Sequence, residues 1–401
     1  MGIGSQLVDE TNKFSQELRL SSSIGQWLDW LVGGFYTHEN APISHENFTS
    51  ANPATGTLGD VFLTYVETPY RFSEEAIFSD LTVHFTDRFN VQLGGRESWY
   101  NQVYQETYTG PGAIDYPGHP SPYVAPELHA TGSAFTYLVT PQFKISPETT
   151  AYARVASGYR IGGPNSSALI YPGTPSEYKP DRTTNYEIGI KGDYLEHRLS
   201  VDVAAYYISW HDFQLKVLQD SFNQFTTNAG DAKSEGVELS VQAHPVTGLT
   251  IQAEGSFNDA ALTQDLPAAA VAAGAYAVAG DRLPYSIRWS GGITANQDFP
   301  LWRGWTGFVG GAFDYVGLRY AEFASSSTSP RIQMPAYSTL NLRMGALHEL
   351  WLFNLFVNNV GDRRGIVGGF AGAVETGNAD QYAGTVIQPR TVGLSVARSF
   401  R

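Results

Sequence analysis

The sequence predicts an all-β, antiparallel transmembrane β-barrel, and three observations carry that prediction. Apolar and polar residues alternate along many segments, giving each one apolar and one hydrated face. Tight joints at 23–26, 86–88, 146–148, 195–197, 245–248, 300–304 and 348–350 alternate with long polar stretches. Those stretches fall at 38–71, 105–130, 161–183, 220–231, 261–282, 322–335 and 361–386. Short turns at one end and long loops at the other characterise outer-membrane barrels, and a soluble sandwich has no reason to adopt them. Third, Arg96, Glu187, Lys191, Glu238, Glu254 and Arg343 recur in mid-strand on the polar face. Unpaired charge is costly in a dry core, so this pattern suits a wide hydrated lumen.

Taken in order, about fifteen strands are expected, near 14–22, 27–37, 72–86, 88–104, 131–145, 148–160, 184–195 and 197–219. The rest lie near 232–244, 248–260, 283–298, 304–321, 336–347, 350–360 and 387–400. Alternation is clearest in the second half. Leu199, Val201 and Val203 share a face predicted to point outward, with Ser200 and Asp202 inward. Val237, Leu239 and Val241 oppose Glu238, Ser240 and Gln242; Leu249, Ile251 and Ala253 oppose Thr250, Gln252 and Glu254. Aromatic residues gather toward strand ends, as at Trp27, Trp99, Trp210, Trp302, Trp305, Trp351 and Phe400, the pattern of an interfacial girdle. The Ala-rich run at 266–280 contains Pro267 and Gly274 and is too short to span a bilayer, so a brief helix inside a loop is expected there.

Composition narrows the function. No cysteine is present, which removes disulfide frameworks, thiol nucleophiles and cysteine-ligated zinc. A net charge of −14 argues against a nucleic-acid partner. Mean hydropathy of −0.21 is compatible with a barrel, whose strands put only alternate residues into lipid. The start, Met1-Gly2-Ile3-Gly4-Ser5, has neither a basic nor an apolar leader region. An intact barrel has an even strand number with both ends on the short-turn side. Fifteen strands leave the first one starting at the long-loop side. We therefore expect an N-terminally truncated barrel domain over 1–401, with two strand edges lacking partners.

Five segments resemble a specific family, the TonB-dependent outer-membrane receptors. Residues 178–191 (YKPDRTTNYEIGIK) are similar to its loop-to-strand signature, and 152–165 (YARVASGYRIGGPN) to the strand end before it. Residues 228–239 (NAGDAKSEGVEL), 355–363 (LFVNNVGDR) and 388–396 (QPRTVGLSV) match later parts in the expected order. The resemblance implies roughly the last 15 strands of a 22-stranded barrel, without the N-terminal plug, the energy-coupling box or a signal peptide. It also implies a location in the outer membrane of a Gram-negative bacterium, with lipid as one partner. Contact with the TonB complex would then run only through the missing N-terminal part.

The function implied is TonB-energised uptake of a scarce nutrient, most often a ferric siderophore. A passive porin and a non-transporting, loop-mediated binding protein are the alternatives. No enzyme signature is present: no nucleophile elbow, no H-E-x-x-H and no phosphate loop. No cofactor and no resident metal are expected, although His38-Glu39 and His45-Glu46 form two His-Glu steps in one polar stretch. Ligand candidates are the loop residues Tyr108, Tyr116, Tyr171 and Asn165, with Arg154, Arg160, Glu187 and Lys191 near a lumenal path. Rings and amides suit an organic chelate. For the four charged residues, hydrating the wall and anchoring a plug is the competing role.

Overall fold

The computed structural model describes residues 2–52, 55, 57–111, 121–169, 174–218, 224–272, 275–324, 331–371 and 382–400. Fifteen long strands form one antiparallel meander. They are β1 Gly2–Ile24, β2 Leu28–Ala51, β3 Tyr70–His84, β4 Phe89–Tyr104, β5 Leu128–Ser146, β6 Thr149–Arg160, β7 Asp181–Tyr194 and β8 Leu199–His211. They continue as β9 Ala232–Ala243, β10 Leu249–Leu262, β11 Trp289–Pro300, β12 Trp305–Val316, β13 Tyr337–His348, β14 Trp351–Asn358 and β15 Thr391–Arg398. Each pairs with the next, so every interior strand has a ladder on both sides. Lipid offers no substitute backbone partners, and these interior strands need none. Among the described residues no ladder joins β1 to β15.

The pairing register sorts the side chains by face. Val201 stands opposite Val241, Val241 opposite Ala253, Ala253 opposite Ile293, Ile293 opposite Phe313 and Phe313 opposite Leu340. One residue along, Lys191 leads a row of Asp202, Ser240, Glu254, Gly292 and Asp314. A one-residue slip of any strand would mix the rows, so six consecutive strands agree on a single register. The apolar face stays open, with Leu18, Ile77, Phe135, Ile188, Leu342 and Leu394 all exposed. So large an uncovered apolar area requires a lipid partner. The polar face lines one groove shared by residues from Tyr152 on β6 to Asp314 on β12, which puts the charges on its concave side. Leu199, Val201 and Val203 therefore point outward and Asp202 inward, as their alternation predicts.

All seven expected tight turns are present. The shortest leave two residues between strands, at Pro147-Glu148 and Glu349-Leu350. The β7–β8 turn holds Leu195, Glu196 and His197 at positive φ, a conformation rare for side-chain-bearing residues. The only helix longer than a single 3-10 turn among the described residues is Ala268–Ala272, within the expected Ala-rich loop. None is long enough to cross a membrane.

The structure departs from the expected boundaries in two ways. β1 and β2 extend far beyond 14–22 and 27–37, β2 through the polar stretch from 38 expected to be loop. At about 3.3 Å per residue the 24 residues of β2 reach roughly 80 Å, well past a bilayer core of ~30 Å. Outside lipid a ladder needs no apolar face, so hydropathy carries no trace of it. Conversely, the strand expected over 197–219 stops at His211, where Asp212 takes a φ of 52°. The next residues fold back as a separate hairpin, Gln214–Leu218 with Gln224–Asn228. Likewise the strand expected from 283 starts at Trp289, because Tyr285 has a φ of 61°.

Candidate functional site

The long connections all emerge at the end opposite the tight turns, and several are stitched together. Asp181, at the base of β7, is 2% exposed. It accepts hydrogen bonds from Arg160 Nε at 2.9 Å and from the Gln214 backbone N–H at 3.1 Å. The Gln214 side-chain amide donates to the carbonyls of Ile161 and Lys179 at 2.8 and 3.1 Å. Asn228 accepts from the Lys179 N–H at 2.7 Å and donates to the Lys179 and Asp212 carbonyls. Asn165 Nδ2 donates to the Thr226 carbonyl at 2.7 Å while its Oδ1 accepts the Thr226 N–H at 2.9 Å. Beside this network, Phe213, Ala229, Ala232, Leu262, Leu266, Ala270, Ala277 and Phe323 form a small apolar core drawn from three connections and two strand ends. These loops are one packed unit, which fixes whatever surface they present.

Against that unit stands the rim of the sheet, leaving a cleft of about 500 Å³. One wall is Glu39 on β2, Tyr70, Arg71 and Phe72 on β3, and Gln102 and Tyr104 on β4. Ile161, Pro164, Asn165, Tyr178, Lys216 and Phe225 form the other. Five rings face a space of drug-like size, with a few polar groups among them, the make-up of an organic-ligand site. Charge is tied down on one side. Arg71 pairs with Glu127 at 2.8 Å, and Glu39 with Lys13 at 2.6 Å. Lys216 is exposed and has no ion-pair partner among the described residues. It is the cation free to meet a ligand.

Below lies the lumenal groove, about 600 Å³, lined by Tyr152, Glu187, Lys191, Asp202, Glu238, Glu254, Ser256 and Asp314. Tyr152 donates to Glu187 at 2.7 Å, and its ring lies flat across Gly189, its cross-strand neighbour. Lys191 pairs with Asp202 at 2.7 Å and sits 5.6 Å from the Tyr152 ring. Carboxylates outnumber cations along this wall.

The sequence candidates thus divide. Arg154, Glu187 and Lys191 lie together on the lumenal face, Arg154 directly opposite Glu187 and 3.4 Å from Thr140. Arg160 sits at the loop base, its guanidinium held by Asp181 and stacked 5.1 Å from the Trp210 ring. Asn165 borders the cleft, but its amide is occupied by the 214–228 hairpin. Tyr108 donates its hydroxyl to Glu106, which is 7% exposed and also accepts from Tyr104 at 2.5 Å. Tyr116 and Tyr171 lie outside the described residues. Of the His-Glu steps, Glu39 engages Lys13, and His45 packs against the Tyr65 ring at 4.9 Å.

Sequence reasoning passed over Lys216, Phe225, Tyr70 and Glu106. Lys216 and Phe225 sit in a stretch read as strand and loop with no motif. Only the hairpin reversal at Asp212 carries them over the cleft.

Comparison with known proteins agrees with this architecture. The profile described as TonB dependent receptor-like, beta-barrel, matches residues 3–360. The pesticin receptor of Yersinia pestis is 26% identical over 331 residues, covering 81% of this chain and 43% of its own length. The metal-pseudopaline receptor CntO of Pseudomonas aeruginosa is 24% identical over 285 residues, covering 70% and 36%. Among solved structures, the ferric yersiniabactin uptake receptor FyuA of Yersinia pestis superposes with a TM-score of 0.77 at 21% identity. It covers 100% of this chain and 56% of its own. The chain spans less than half the length of these curated relatives. Their family comprises transport receptors of the Gram-negative outer membrane, not enzymes. The chain belongs to the TonB dependent receptor-like β-barrel family.

Proposed function

We propose that this chain is the wall and loop cap of a receptor that takes up a scarce nutrient, a ferric siderophore, with energy supplied through TonB. The observation that carries the reading is the aromatic cleft with Lys216, which has no ion-pair partner among the described residues, set in a pre-packed loop unit above a charged lumen. A metal chelate of an organic acid presents flat apolar rings and residual negative charge. Rings and one available cation are what such a complex needs. The relatives' descriptions, a metal-pseudopaline receptor and a ferric yersiniabactin uptake receptor, support the same substrate class. In this reading the energy coupling and a plug belong to sequence outside this chain.

The test is uptake of iron-labelled siderophores by cells expressing the complete reading frame, with and without TonB. Uptake that needs both the receptor and TonB is expected. Uptake unchanged by loss of TonB would replace this reading with passive diffusion through an open lumen.

A further inference from the structure

The turn-side end of the last four strands carries a row of residues that transport does not use. Trp305 stands opposite His348, His348 opposite Trp351, and Trp351 opposite Arg398, one from each of β12 to β15. Strand alternation puts all four on the outer, lipid-side face. The next rows on that face are Gly307, Ala346, Phe353 and Val396, then Val309, Met344, Leu355 and Leu394. The last of these rows is fully apolar and exposed throughout. The row therefore lies where the apolar band ends, four residues or about 13 Å from that fully apolar row.

Its side chains are arranged around cations. Trp305 and His348 stack at 4.6 Å, and Trp305 and Trp351 each approach Phe353. The Arg398 guanidinium sits 5.2 Å from the Trp351 ring and 5.3 Å from Phe400. In the adjoining turn Arg303 lies 4.2 Å over Trp302, which is 69% exposed. Neither Arg398 nor Arg303 has a carboxylate or hydrogen-bond acceptor among the described residues, and Glu349 in the neighbouring turn pairs with neither. Fork-shaped donors are therefore held by aromatic rings, at the edge of a lipid-facing band, without acceptors among the described residues.

We propose that this row is a headgroup site for an anionic phospholipid of the leaflet that meets the short turns. The phosphate is bound by Arg398, and the Trp305 and Trp351 rings flank the glycerol region. Guanidinium matches phosphate oxygens bidentately, and indole rings favour the interfacial depth. The site favours a net-negative headgroup because Arg398 and Arg303, near the single Glu349, leave this rim net positive. This inference rests on the membrane reading of the fold and is independent of which nutrient is carried.

The experiment is native mass spectrometry of the detergent-purified chain titrated with phosphatidylglycerol or with phosphatidylcholine of identical acyl chains. Retention of phosphatidylglycerol over phosphatidylcholine is expected. The Arg398→Gln variant should reduce phosphatidylglycerol retention about fivefold, the effect of one interfacial cation. Arg398→Lys should fall between. The control Arg343→Gln, a lumenal arginine bonded to Asn296, should retain lipid as the parent does. A circular-dichroism spectrum unchanged in Arg398→Gln separates lost binding from lost fold. Equal retention of the two lipids, or an Arg398→Gln protein that keeps its phosphatidylglycerol, would overturn the proposal.

Discussion

Arg160 and Asp181 are direct cross-strand partners at the loop end of β6 and β7, and the arginine grips both carboxylate oxygens, at 3.1 and 2.9 Å from Nε. The carboxylate is buried while the guanidinium is half exposed. The pair therefore closes the seam from which the 161–180 connection departs, and the Gln214 amide anchors the next hairpin to the same oxygens. Arg160→Ala leaves a buried acceptor with one donor. The expected cost is about 2 kcal/mol, less than the ~3–5 kcal/mol of a fully buried pair, because water reaches the vacated side. Faster amide exchange in Gln214–Leu218 at unchanged exchange in mid-strand β7 would show it.

Tyr152 reaches Glu187 only because its cross-strand neighbour has no side chain. A Cβ on Gly189 would lie 2.5 Å from the tyrosine ring. Gly189→Val should therefore displace the ring and cost about 1–3 kcal/mol through overpacking. Tyr152→Phe, which removes the hydroxyl alone, should cost about 1 kcal/mol. Urea midpoints of the two variants, compared in one detergent, check the order.

The strand count and all seven turns were legible because lipid and lumen impose a strict period of two across β3 to β15. Legibility ended where that constraint ends. The outer half of β2 runs through polar sequence without a strict apolar face, so it looked like loop. Nor can a periodicity show that Asn165 binds Thr226, 61 residues away. The candidate site suffered for that reason: charged residues on strands were found, whereas the cleft's Lys216 and Phe225 arrive by a loop fold that no alternation encodes.

Asp362 joins the two ends of the last long connection, accepting the Arg390 N–H at 2.9 Å and pairing with Arg364 at 3.3 Å. The Arg390 amide hydrogen bond, followed by the Arg364 and Arg390 charges, holds its carboxyl below the usual carboxylate value. The stabilisation is thus present above the ordinary pKa of the group and fades as pH falls through the depressed one. Exchange at the Arg390 amide should accelerate relative to neighbours in that acidic window, and Asp362→Asn should weaken this pH dependence.

Lys216 is the cleft's one cation without an ion-pair partner among the described residues, so it separates ligand binding from scaffold stability. If the cargo is an anionic chelate, Lys216→Gln should weaken it by about 1–3 kcal/mol, the worth of a charged hydrogen bond, and Lys216→Arg should recover most of the loss. Arg154→Gln tests the deeper lumenal candidate. Because Arg154 faces Glu187 across the pair of strands, its removal should alter passage more than surface binding. Arg160→Ala should lower binding only in proportion to its loosening of the loop unit. Titration of the receptor with a labelled ferric siderophore, set beside the melting temperature of each variant, distinguishes these cases. A Lys216→Gln protein with parental affinity for every anionic chelate tried would place recognition elsewhere than in this cleft.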